Sequence, residues 1–174
     1  MISLSISHRE WLKQYGFGLV LIPFCIYFAL GADSYESTGI LGMLVHSLDL
    51  IFHEAGHFVF RFFGEFMMFL GGSLMQIIMP GLITWSCIKF DQKIGAQLAL
   101  FWLGQNFIDV SIYAADAQER LLPLLGGLGP ESHDWYNILS MLGMLEYTPL
   151  VAGVIYFLAF PFWLLMLIIP KWVW

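Results

Sequence analysis

The sequence predicts an all-α, polytopic membrane helical bundle forming a single integral membrane domain over residues 1–174, and three observations predict it. Hydrophobic side chains make up 59% of the 174 residues and charged ones only 11%, with a mean hydropathy of +0.77. Such a chain lacks the polar surface that a soluble domain of this size requires. The apolar residues gather into stretches close to the about 20 helical residues that cross a hydrocarbon core. The longest polar segment, Asp116 to Thr148, falls between the last two of these stretches.

About five transmembrane helices are expected, at Gly16 to Leu30, Ile40 to Phe63, Phe66 to Ile88, Ile94 to Ala115 and Pro149 to Ile169. The first is short, and Pro23 is expected to kink it, since proline removes an intrahelical hydrogen bond. Arg9 and Lys13 precede it in the manner of a secretory signal, but the segment is expected to be retained. The third contains Gly71-Gly72 and Pro80, so it can cross the membrane or dip in and return, and a re-entrant piece is allowed only where protein buries it. Within the polar segment, Gly126-Gly127, Gly129 and Pro130 mark turns, and a short helix is expected over His133 to Leu142 with Ser132 as its N-cap. Trp163, Trp172 and Trp174 are expected to anchor the C-terminal end at a membrane interface. There is no internal repeat.

Charge and depth bear on the crossing number. If the third stretch dips, Arg9, Lys13, Arg61, Lys89, Lys93 and Lys171 collect on one side against Arg120, a strong positive-inside bias. If it crosses, Arg9, Lys13, Arg61 and Arg120 face Lys89, Lys93 and Lys171, and the bias nearly vanishes. Depth argues for crossing: at 1.5 Å per residue His53 and Asp109 then lie about 20 Å and about 22 Å from the same face, whereas a dip leaves Asp109 about 10 Å shallower. Five crossings are therefore expected, with the polar residues nearer the cytoplasmic face.

The net charge of −6 and the absence of a basic run argue against nucleic acid as a partner and leave no polybasic lipid patch. Cys25 and Cys87 both lie in apolar stretches, so neither a disulfide framework nor a cysteine zinc site is expected.

Within the second stretch stands His53-Glu54-Ala55-Gly56-His57, an HExxH motif. Residues four apart share a helix face, so both histidines can turn a ring nitrogen to one tetrahedral ion. Glu54, about 100° further round, can act as a base on water at that ion without being a ligand. Ala55 and Gly56 let another segment approach closely. His46, Asp49, His53 and His57 fall within about 80° of one another at 100° per residue, one polar stripe on an apolar helix. Asp49 is placed to accept a hydrogen bond beside the pair or to add a ligand. His46, two turns away, and Asn106 suit supporting roles. The fourth stretch carries a matching polar face of Gln105, Asp109, Tyr113 and Asp116, and an aspartate such as Asp109 within an apolar run needs a partner.

A catalytic zinc site takes three protein ligands and keeps a position for water. His133 is the favoured third ligand, with Asp134 as its orienting group or as an alternative ligand and Asp109 as a second alternative. The bland reading of His133-Asp134 is a helix start, with Asp134 favoured by the dipole.

An HExxH motif in mid-span, followed by the Gly71-Gly72 segment with Gln76 and by an intramembrane aspartate, resembles the site-2 protease type of integral membrane zinc metallopeptidase. The resemblance covers about half the chain. It implies that His53, His57 and a distant aspartate bind zinc, that Glu54 is the base, and that the substrate is a transmembrane or membrane-proximal helix. By the same analogy a bacterial inner membrane is expected. The chain departs from the pattern in lacking an Asn-Pro-x-Asp-Gly or Leu-Asp-Gly sequence around the aspartate, and His133-Asp134-Trp135 is not part of it.

Two functions compete at this point. One is a membrane-embedded zinc metalloprotease acting on a membrane protein or peptide. The other is a non-catalytic membrane subunit, with a structural metal or polar site, packing in a larger membrane complex. A di-iron oxygenase would call for more histidines, and a transporter would leave Glu54 and the paired histidines unexplained.

Overall fold

Long helices occupy the apolar stretches in the computed structural model, which describes residues 8–33, 35, 37 and 39–169. The regular elements among the described residues are all helical: α1 (His8–Leu30), α2 (Gly39–Phe60), α3 (Glu65–Lys89), α4 (Lys93–Ala115), α5 (Asp134–Met141), α6 (Thr148–Phe157) and α7 (Ala159–Ile168), with short 3-10 turns between them. Among the described residues, three stretches are long and apolar enough to cross a membrane: α3, α4 and Leu145–Ile168. The apolar part of α1, Tyr15–Leu30, is shorter. α2 is not among the three, because its polar stripe offsets an outer face that includes Ile40, Leu44, Leu48 and Ile51.

α3 is a single helix of 25 residues running through Gly71-Gly72 and Pro80, with no turn at which the segment would double back. α1 likewise continues through Pro23. The last apolar stretch is divided instead, with α6 and α7 meeting at Leu158. Pro161 has no N–H to offer the Phe157 carbonyl four residues back, which is where α6 ends.

Two further expectations are corrected. The short helix begins at Asp134, and its N-cap is His133, whose Nδ1 accepts from the Tyr136 backbone N–H at 3.2 Å. Ser132 belongs instead to a 3-10 turn, Pro130–Ser132, in which Pro130 sets the first φ. Trp163 is no interface anchor: it is 6% exposed, and its indole N–H donates to the Phe101 carbonyl of α4 at 3.0 Å. Gly104 makes this possible, since any side chain there would fall on the indole ring. Trp172 and Trp174 lie outside the described residues.

α4 is the central helix, with α1, α3, α6 and α7 packed around it. Leu21 and Phe28 of α1, Leu100, Leu103 and Phe107 of α4, and Trp163 and Met166 of α7 form one core cluster, which also holds the free thiol Cys25. Val110 and Ala114 of α4, Trp135, Ile138 and Leu139 of α5, and Ala152 of α6 form another. α2 joins from the side by lying against α3. Gly56 meets Gly71 backbone to backbone, and a Cβ on Gly56 would fall inside the Gly71 carbonyl. This close approach turns the polar stripe of α2 toward α3 and α4.

Candidate metal centre

The α2 helix turn does for His53 and His57 what their spacing requires: the two rings lie side by side, centroids 4.7 Å apart. Each ring is held from behind. His57 Nδ1 donates to the Met68 carbonyl at 2.7 Å. His53 Nδ1 meets Gln76 Oε1 at 2.7 Å, and Gln76 in turn donates through Nε2 to Asp109 Oδ2 at 2.9 Å. A carbonyl can only accept, and the bond to Asp109 orients the Gln76 amide with its oxygen toward His53, so both histidines carry their proton on Nδ1. Bonds of this kind to the far nitrogen are how metal-binding histidines are usually oriented.

Both Nε2 lone pairs then face one carboxylate oxygen, Asp134 Oδ2, at 2.9 Å from His53 and 3.2 Å from His57. Three acceptors turned on one another repel unless a cation lies among them, either a metal ion or an added proton on the rings. The three donor atoms lie within 4.8 Å of one another, so His53, His57 and Asp134 form a group that can hold a metal ion. A tetrahedral ion with bonds of 2.0–2.1 Å separates its ligands by about 3.3 Å, close to the separations of both histidines from the carboxylate. The residues present therefore fit a metal with two imidazoles and one carboxylate.

Asp134 reaches the pair because α5 is docked by its neighbours. Trp135 donates through its indole N–H to Ser73 Oγ of α3 at 3.1 Å. Tyr113 of α4 donates its hydroxyl to Asp134 Oδ2 at 3.3 Å and accepts from the Asp134 backbone N–H at 3.1 Å. Burial pushes the Asp134 carboxyl up, but with the added proton on the rings the bonds and charges of His53 and His57 outweigh it and hold the carboxyl below the ordinary range. It stays ionised, as a ligand must. Gly72 leaves room for the His53 ring, since a Cβ there would lie 2.5 Å from Nε2.

The favoured third ligand, His133, is turned elsewhere. Capping α5 fixes its Nδ1, and its Nε2 faces Asp116 Oδ2 at 3.3 Å. Burial lowers its pKa against the opposing pull of Asp116 and Asp134, which keeps the ring neutral and Nδ1 able to accept. The alternative Asp134 takes the place beside the histidines. Asp109, the other alternative, bonds His46 Nδ1 at 2.7 Å through Oδ1 and Gln76 through Oδ2, so it stands one amide away from His53. His46 also stacks on Tyr35 at 3.8 Å. Asn106 Oδ1 lies 3.5 Å from Gln76 Nε2, a supporting position. Asp49 does not bond the motif histidines, because its Oδ1 accepts from Trp102 Nε1 of α4 at 2.7 Å.

One face of the group opens onto a cleft of about 660 Å³, lined by His53, Glu54, His57, Tyr113 and Asp134 and also by residues of the loop before α5. Glu54 is exposed to it. Sequence reasoning assigned no role to Tyr113 or to Ser73, and it named Gln76 only within a resemblance. The available signal was the run Gly72, Ser73 and Gln76, small and polar residues on one face of an apolar helix. No protein-family model, curated protein or solved structure matches the chain.

Proposed function

We propose that this chain is a membrane-embedded zinc metalloprotease that hydrolyses a peptide bond of a membrane protein. The observation that carries this reading is the convergence of His53 Nε2, His57 Nε2 and Asp134 Oδ2 on the wall of a cleft that also exposes Glu54. Two imidazoles and a carboxylate suit zinc, and three protein ligands leave it a fourth position. Zinc bound there supplies Lewis acidity, polarising the substrate carbonyl and acidifying water. Glu54 takes a proton from the attacking water, whose oxygen bonds to the carbonyl carbon. The C–N bond breaks, and the proton passes from Glu54 to the leaving amine. Gln76 and Met68 keep the histidine rings aligned, and Tyr113 keeps Asp134 in place.

Five crossings fit this reading. The unbroken α3 carries the chain across between α2 and α4, and the Gln76 bridge between His53 and Asp109 agrees with their matching depths. The outer face of α2 is bare and apolar at Ile40, Leu44, Ile51 and Phe58, as a lipid-facing surface would be, while Asp49 and His53 are buried on its inner side. The bacterial inner membrane rests on the family resemblance alone.

The test is metal content and cleavage in detergent-purified protein. Wild type should hold one zinc per chain and cut a membrane-protein reporter, Glu54→Gln should keep the zinc and lose the cutting, and His53→Ala should lose both. Cleavage that survives in Glu54→Gln overturns the mechanism. Zinc without any Glu54-dependent cleavage makes the chain a non-catalytic subunit with a structural metal.

A further inference from the structure

The cleft that the metal group opens onto is also lined by part of loop 117–132, which the chemistry above does not use. Its two ends are tied at one residue: Asp116 accepts the backbone N–H groups of Leu121 and Leu122 at 2.9 Å each and faces His133 Nε2 at 3.3 Å. A loop of this length with joined ends is an Ω-loop, a form often used for function. Leu122 fastens it to the core. From there Leu124, Leu125 and Leu128 line the cleft, and Leu125 and Leu128 remain 56% and 61% exposed on its wall. Gly126 and Gly127, both at φ +72°, make the turn between those two leucines, a conformation that residues with a Cβ rarely adopt.

We propose that Leu124, Leu125 and Leu128 form an apolar subsite that selects an aliphatic side chain beside the scissile bond. The substrate class is then an extended, apolar stretch of a membrane protein with a residue the size of Val, Leu or Ile at the cut. This rests on the protease reading. One cleft holds both parts that such selection needs: the ligand histidines, Asp134 and Glu54 line it, and so do the aliphatic side chains of Leu124, Leu125 and Leu128, with Glu131 and Ser132 as the loop's polar members. Leu121, in the same loop and 80% exposed, does not line the cleft and serves as an internal control.

The experiment uses the full chain, zinc-loaded in micelles, as wild type, Leu125→Ser/Leu128→Ser, Leu121→Ser and Glu54→Gln. A random peptide library is digested and the cut sites are read by mass spectrometry, and affinities for leucine hydroxamate and serine hydroxamate are measured separately. Wild type should favour aliphatic residues at the cut, and leucine hydroxamate over the serine compound, by about 10-fold or more, the usual scale for an apolar pocket. The double variant should keep its zinc and lose both preferences, and Leu121→Ser should behave as wild type. Glu54-dependent cleavage without aliphatic preference, or a preference that survives in the double variant, overturns the subsite and leaves the protease reading intact. Absence of Glu54-dependent cleavage overturns the protease reading, and the hydroxamates then decide the subsite: equal affinity for the two removes it.

Discussion

Replacing Gly72 by alanine perturbs the metal group through a single methyl. That methyl would lie 2.5 Å from His53 Nε2 and 2.6 Å from Cε1. Non-bonded heavy atoms keep about 3.5 Å, so the ring must move by about 1 Å. It cannot do so freely, because Gln76 holds Nδ1 at 2.7 Å and Asp134 lies 2.9 Å from Nε2. Metal–ligand distances tolerate only about 0.2 Å, so a ring displaced this far stops ligating or forces α3 away from α2. Loss of a supporting contact alone lowers metal affinity by about 10- to 100-fold, and the Gly72→Ala loss should be at least that large. Overpacking should also cost about 1–3 kcal/mol of stability, leaving a folded chain in which affinity can be measured. Gly81→Ala is the matched control: it lies on the same helix with nothing within 4 Å of the added Cβ. Zinc affinity by competition with a chromophoric chelator in micelles, with melting followed by circular dichroism, reads both effects. Unchanged zinc affinity in Gly72→Ala, or an equal loss in Gly81→Ala, would refute the reasoning.

Two further outcomes follow from the same geometry. Asp134→Ala should lose stoichiometric zinc, while His133→Ala should retain it and lower the melting stability by about 0.5–2 kcal/mol through loss of the α5 cap. The opposite pattern in metal analysis would restore His133 as the ligand. Gln76→Met keeps the volume but removes the acceptor from His53 Nδ1, and zinc affinity should fall by about 10- to 100-fold. No change in the zinc titration would sever Gln76 from the site.

What could be read from the sequence was what depends on neighbours along one helix. The pairing of His53 with His57, the inward stripe they share with His46 and Asp49, and the helical character of the apolar stretches follow from the 3.6-residue repeat and the solvent each face prefers. The partners of that stripe were harder. Asp49 was expected beside the histidines, yet it bonds Trp102, since the way α4 lies against α2 decides which inward residue meets which. Trp163 carried the composition of an interface anchor and became a core residue because Gly104, far away in sequence, leaves a slot for its indole. His133 and Asp134 are adjacent, and the choice between them turned on one residue of helix start. Capping α5 fixes the His133 ring, and the next position, about 100° round the axis, faces α2.

By itself the sequence determined that this chain folds as apolar helices and that one of them carries two histidines and a glutamate in metal-binding register, because both properties are local to a helix. Only the tertiary structure decided that Asp134 completes the group, that Gln76 links it to Asp109 and His46, and that loop leucines line the same cleft. These depend on the docking of α5 by the Trp135–Ser73 and Tyr113–Asp134 bonds and on the Gly56–Gly71 contact between α2 and α3. Such contacts join residues distant in the chain, and their geometry is set by how whole helices pack.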